Sequence, residues 1–254
     1  MIVKNTTTDL LYPYGITSLS EDDPYFHPFH ENPKYYHKDA AYHNGTIWGW
    51  NAGLIVTGLN KFGYQDLAYK LTKNLSNQIL TMGAIGSMSE NLSAFPDKNG
   101  DPILSGTFSQ AWSVSEFARN GYQDYLGFRP SLLENSLKIS PSFPTSWNKI
   151  KAELPFGDSE SITIVGNKNN NIWEFSILLN SSTSRDINWS GIDNLGVRRE
   201  YTFKTEPYST QMLIWNFKEE IGDLNFRTPN VNKSFPSTSN RDVLKGIILN
   251  KEYK

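Results

Sequence analysis

Between residues 46 and 83 the apolar positions fall on helical spacing. Leu54, Ile55, Gly58, Leu59 and Phe62 recur at i, i+1, i+4, i+5 and i+8, and Gly63 can end the run. A second stripe follows at once, with Leu67, Ala68, Leu71, Leu75 and Ile79 on one face and Gly83 past its end. Two helices joined by so short a glycine turn predict an antiparallel hairpin. A third helix is predicted from an N-cap at Thr107 or Ser109, through Trp112, Phe117 and Tyr122, toward Gly127. Ala111, Trp112, Ala118 and Tyr122 form one stripe on it and Val114, Phe117 and Tyr125 another, which suits a helix packed on two sides.

The stretches around these helices carry no sustained period. The first 45 residues hold all four histidines together with Pro13, Pro24, Pro28 and Pro33, and read as a long loop. Residues 83 to 107, with Gly83, Gly86, Gly100, Gly106, Pro96 and Pro102, read as a second loop broken by turns. Beyond Pro130, Pro141, Pro144 and Pro155 the period changes to two. Ser161 to Val165, Trp173 to Leu179 and Met212 to Phe217 alternate as strands do, and the Asn-rich run Asn167 to Asn171 predicts a turn between two of them. From about Glu219 the chain turns to clusters of Pro, Ser and Asn, as an extended tail would. The expected division is a helical part over 1–130, a small antiparallel β unit over 131–218 and a tail over 219–254.

Charge and composition narrow the functions open to such a chain. Lys plus Arg number 24 against 26 Asp plus Glu, a net charge of −2 with no basic run, so nucleic acid is not the expected partner. No apolar stretch approaches the roughly 20 residues of a membrane span, and the N-terminus lacks the pattern of a signal peptide. The expectation is a soluble, cytoplasmic protein without membrane partners. The absence of cysteine removes disulfides, thiolate metal sites and cysteine nucleophiles. Aromatic residues reach 13%, more than a core of this size uses, and exposed aromatic faces are a common means of stacking on sugar rings.

His27, His30, His37 and His43, with Glu31 and Asp39 nearby, invite a metal-site reading. No His-Glu-x-x-His pattern or cysteine pairing supports it, and Pro28 prevents the helical register that would hold two ligands. We expect no metal and no cofactor, and histidines that hydrogen-bond other loop residues or sugar hydroxyls. A Gly-x-Ser-x-Gly nucleophile turn and a Gly-rich phosphate loop are both absent. What remains is carboxylates near aromatics. Glu90 sits in Gly86-Ser87-Met88-Ser89-Glu90-Asn91, just past an apolar helix, where a loop can aim a side chain into a cleft. Trp48-Gly49-Trp50-Asn51 opens the first helix and Gln110-Ala111-Trp112 opens the third. Each tryptophan read alone is as well explained as a core anchor. The argument for a site is that these openings would cluster.

Two stretches carry a more specific resemblance. Tyr14-Gly15-Ile16-Thr17-Ser18-Leu19-Ser20, with the run from Tyr36-His37-Lys38-Asp39 through Tyr42-His43-Asn44-Gly45-Thr46-Ile47-Trp48-Gly49-Trp50-Asn51, resembles the C-terminal glucosidase domain of glycogen debranching enzymes. So do Gly86 to Glu90 and Ser105 to Ser113, and the likeness runs in order over about residues 12–130. The resemblance implies an (α/α)6 barrel of six helical hairpins and hydrolysis of α-1,6-glucosidic branch stubs. It makes Glu90 the general base and places Trp48, Trp50, His43, Asp39, Gln110 and Trp112 at the glucose site.

Inversion needs two carboxylates about 6.5–9.5 Å apart. In the family the general acid lies upstream of the matched motif, so the resemblance implies that this chain lacks it. Asp39 is the local candidate for a substitute acid, though binding a hydroxyl or orienting Lys38 or a histidine suits it better. Twelve helices need well over about 200 residues, so the expected fold is mainly α: the last hairpins of the barrel, followed by a small antiparallel β unit. The expected substrate is an α-glucan or oligosaccharide, with a second chain as a candidate source of the missing N-terminal helices. The competing readings are a non-catalytic carbohydrate-binding remnant and an interaction module that exposes apolar helix faces.

Overall fold

A computed structural model describes residues 2–30, 32, 37–218 and 224–233. The chain divides into two compact units, one made of residues 1–55, 70–117 and 223–254 and the other of 56–69 and 118–222.

In the first unit, α1 (Ile2–Leu10) leads into a two-stranded ribbon of β1 (Leu11–Tyr12) and β2 (Gly15–Ile16). Next come the short α2 (Lys38–Tyr42), β3 (Ile47–Trp48) and α3 (Gly49–Lys61), whose last residues enter the second unit. The long α4 (Gln65–Thr81), whose first residues belong to the second unit, precedes β4 (Asn91–Pro96) and β5 (Pro102–Ser105), and α5 (Ala111–Asn120), whose last residues also belong to the second unit, follows. Strands β3, β4 and β5 form an antiparallel sheet in that order. Its core gathers Tyr12, Phe26, Ile47, Leu92, Ala94 and Phe95. Glycines let α3 and α5 approach closely: a β-carbon at Gly49 would lie 3.0 Å from the Ser113 hydroxyl, and one at Gly53 2.7 Å from the Glu116 β-carbon.

The described part of the tail, 224–233, packs on the first unit through Arg227. Its backbone N–H donates to Leu11 O at 2.7 Å, and its guanidinium lies 3.2 Å from the buried Glu21 carboxylate and 3.1 Å from Asp22. Glu21 also accepts the Tyr12 hydroxyl at 2.7 Å. Residues 219–223 and 234–254 of the expected tail lie outside the described residues.

The second unit is a sandwich of two four-stranded sheets. It comprises β6 (Arg129–Ser131), β7 (Ser136–Ile139), β8 (Lys149–Phe156), β9 (Glu160–Asn169), β10 (Ile172–Asn180), β11 (Arg185–Ile192), β12 (Arg198–Thr205) and β13 (Thr210–Asn216). The sheet orders are β13-β10-β9-β8 and β12-β11-β7-β6. Strict alternation on β10 points Trp173, Phe175, Ile177 and Leu179 into a core shared with Ile187 and Trp189 of the other sheet, the Phe175 and Trp189 rings lying 4.8 Å apart. The Asn-rich turn sits where the composition placed it. Asn170 and Asn171 take φ of 47° and 66°, the left-handed pair that a two-residue hairpin requires.

The mainly α expectation is thereby corrected. Among the described residues thirteen strands in four sheets stand beside five α-helices, and no (α/α)6 barrel portion is present. The helical periodicity did locate α3, α4 and α5, and α5 continues into a π-helical turn at Gly121–Tyr125. The supposed loops, however, hold α1, α2, β1, β2, β4 and β5, and β3 lies where the helical pattern was expected to begin. Nor is the C-terminal region a small antiparallel unit, because β7 pairs parallel with β11 across eight strands and two sheets. No helix among the described residues is long and apolar enough to cross a membrane.

Candidate active site

Glu90 stands immediately before β4, and the β4–β5 hairpin positions it. Asn91 pairs with Ser105 in that ladder, and one step outward Glu90 N–H donates to Thr107 O at 2.9 Å. Thr107 N–H returns a 2.8 Å bond to Glu90 Oε2. Gly106 lies between, with φ +73°, and a β-carbon there would come within 2.7 Å of Oε2 and 2.8 Å of the Glu90 β-carbon. Only glycine leaves that carboxylate its place. Tyr42, the last residue of α2, donates its hydroxyl to Oε1, and the Gln110 side chain adds a further hydrogen bond.

These donors favour the charged form. The Tyr42 hydroxyl first, then Thr107 N–H, hold the Glu90 carboxyl below its ordinary range against a smaller opposing effect of burial. Glu90 is therefore a carboxylate at neutral pH. Burial and the hydrogen bond to Glu90 push the Tyr42 hydroxyl up to about 12, so it stays a donor.

The predicted site residues fall into two groups. Tyr42 anchors the first: Trp48 is 9% exposed on β3, donates its indole N–H to Tyr42 O at 2.9 Å, and meets the Tyr42 ring edge-on at 4.4 Å. His43 is exposed and lies parallel to Trp48 at 5.7 Å. The second group sits at the openings of α3 and α5. The Trp50 and Trp112 rings are 6.3 Å apart, Trp112 being 52% exposed. Gln110 N–H, donating to Met88 O at 2.8 Å, ties the start of α5 to the loop that carries Glu90. Trp50 keeps a buried indole N–H without a partner among the described residues. Asp39 lies in α2, and its side chain falls outside the described residues.

Sequence reasoning did not assign Tyr42 or Gly106 a role. The first lay within a quoted motif and the second within a turn, and nothing linear in the chain signals that both contact Glu90. Two of the histidines are structural: His27 and His30 are buried, and burial pulls the His27 imidazole below its ordinary value. His27 N–H donates to Asn44 O at 2.7 Å, and a β-carbon at Gly45 would fall 2.4 Å from His27 O.

The family model described as Amylo-alpha-1,6-glucosidase matches residues 1–119. Strands β6 to β13 lie beyond that match. A search among curated proteins finds no match to the chain. Residues 1–119, which hold Glu90 and every side chain gathered around it, are thus the part of the chain that is similar to the amylo-alpha-1,6-glucosidase family, the glycosidase-related family of the C-terminal domain of glycogen debranching enzymes.

Proposed function

We propose that Glu90 is the general base of an inverting glycosidase site that cleaves α-1,6-glucosidic branch linkages in glycogen-like α-glucans. The observation that carries this is the hydrogen-bond set around Glu90. Its donors favour the ionised form, and an ionised carboxylate can take a proton from water but cannot give one to a leaving oxygen. Trp50 and Trp112 offer aromatic surface for a glucose ring, Gln110 and the exposed His43 offer hydrogen bonds, and Asp39 completes the proposed set. Trp48 acts from behind by holding Tyr42.

Inversion also needs an acid on the other side of the bond, and no second carboxylic acid joins the Glu90 network among the described residues. In this reading the acid comes from outside these 254 residues, either from sequence upstream of them or from a second chain. The purified chain alone then releases no glucose from a branched α-glucan, while it still binds maltooligosaccharide through the aromatic pair. Robust glucose release by the pure chain would overturn the split-site reading. Failure to bind any α-glucan would overturn the assignment of the site.

A further inference from the structure

The second unit contains a cleft of about 370 Å³ that the reading above does not use. Its volume is that of a small-molecule site. Five cationic side chains line it: Lys61 at the end of α3, Arg129 on β6, Lys138 on β7, Arg198 on β12 and Lys218. The single carboxylate of the lining, Asp124, is already satisfied. It is buried, bonds Thr57 at 2.8 Å, and pairs with Arg119 at 3.1 Å, with Arg129 at 4.0 Å from its other oxygen. Lys138 has one further acidic neighbour, the exposed Glu134 at 3.8 Å, a surface pair of little energetic weight. In a chain whose net charge is −2, this is a local concentration of positive charge that Asp124 and Glu134 only partly offset among the described residues.

A second observation points into the same cleft. Asn60, on the last turn of α3, lines it with only 7% of its surface exposed, and neither Oδ1 nor Nδ2 has a hydrogen-bond partner among the described residues. A buried carboxamide left unsatisfied costs about 1–3 kcal/mol, so a ligand that supplies both an acceptor and a donor recovers that loss. Phe143 and Phe217 give the same cleft an apolar wall, their rings 5.9 Å apart.

We propose that this cleft binds a phosphate group, with the cations gripping the dianion and Asn60 reading a hydroxyl beside it. Arginine and lysine converging from four elements suit a compact doubly charged group better than a single carboxylate. A polyanion such as nucleic acid is disfavoured, because the chain as a whole repels it and the cations line one concave site instead of a stripe. Free inorganic phosphate and a sugar phosphate share this chemistry, and Asn60 with the aromatic wall distinguishes them.

The test is calorimetric titration of the full chain with inorganic phosphate, glucose 1-phosphate and glucose. Both phosphates bind, more weakly as salt rises, and the double variant K138E/R198E, altered only at exposed positions, weakens both by at least tenfold. Tighter binding of glucose 1-phosphate than of phosphate, with the difference lost in Asn60→Leu, identifies a sugar phosphate as the occupant. Equal affinities identify the free ion. Either result supports the site. Absence of binding by both phosphates at millimolar concentration, or affinity unchanged in K138E/R198E, overturns it.

Discussion

The hydroxyl of Tyr42 donates to the carboxylate of Glu90, 48 residues further along the chain. The short helix α2 and the β4–β5 hairpin meet at that bond, and it lowers the Glu90 pKa more than any other contact does. The predictions about the site begin there.

Replacing Glu90 by Gln keeps size and hydrogen-bonding reach but removes basicity. In an assembly that hydrolyses branched α-glucan, kcat should fall by about 10²- to 10⁴-fold, with oligosaccharide affinity nearly unchanged. Retention of more than about a tenth of the wild-type rate would show that Glu90 is not the base.

Tyr42→Phe removes the largest of the effects that lower the Glu90 pKa. With that donor gone, Glu90 should titrate closer to the ordinary carboxylate range, and the acidic limb of the pH–rate profile should move to higher pH. The stability contribution has the same sign. A depressed folded-state pKa contributes stability that is complete above the unfolded value and is lost as pH falls through the folded one. The variant should therefore lose less stability on acidification than wild type. An acidic limb that stays in place in Tyr42→Phe would mean that another group controls it.

Gly106→Ala forces a left-handed backbone on alanine and brings its β-carbon against Glu90. Strain of that kind costs about 1–2 kcal/mol. Urea unfolding should show this loss together with a fall in activity larger than the loss of folded protein explains. An alanine variant as stable and active as wild type would mean that the hairpin relaxes around the added methyl.

Arg227→Ala leaves Glu21 buried without its cation, which predicts destabilisation of about 3 kcal/mol. Adding Glu21→Gln should recover much of that loss, because the carboxamide no longer buries a charge. A double variant no more stable than Arg227→Ala would show that the ion pair is not what Arg227 contributes.

Much of this was legible in the chain before the fold was known, and the limit was physical. Long helices announce themselves, so Leu67, Ala68, Leu71 and Leu75 predicted α4, and the alternation around Trp173 and Phe175 predicted β10. The β3–β4–β5 sheet left no such trace. Asn91, Leu92, Ser93, Ala94 and Phe95 are buried in succession, and the polar–apolar alternation of Asn91 to Ala94 is too short to stand out from the surrounding Gly- and Pro-rich turns. Without a periodic signal there, the family motifs point to a helical barrel, of which the described residues contain no portion. Glu90 stands out in the sequence because its neighbours form a motif. Its partner Tyr42 depends on tertiary contact between segments that look unrelated in sequence.

The strap formed by Arg227 also sets an order of events during synthesis. Every residue of the sandwich precedes position 223, so that unit is complete in the growing chain while the first unit still lacks its last segment. Until the ribosome has delivered residue 227, the carboxylate of Glu21, made more than 200 residues earlier, has no guanidinium to meet. The amino-terminal unit thus emerges early and closes late, with Glu21 still lacking its Arg227 partner in that interval.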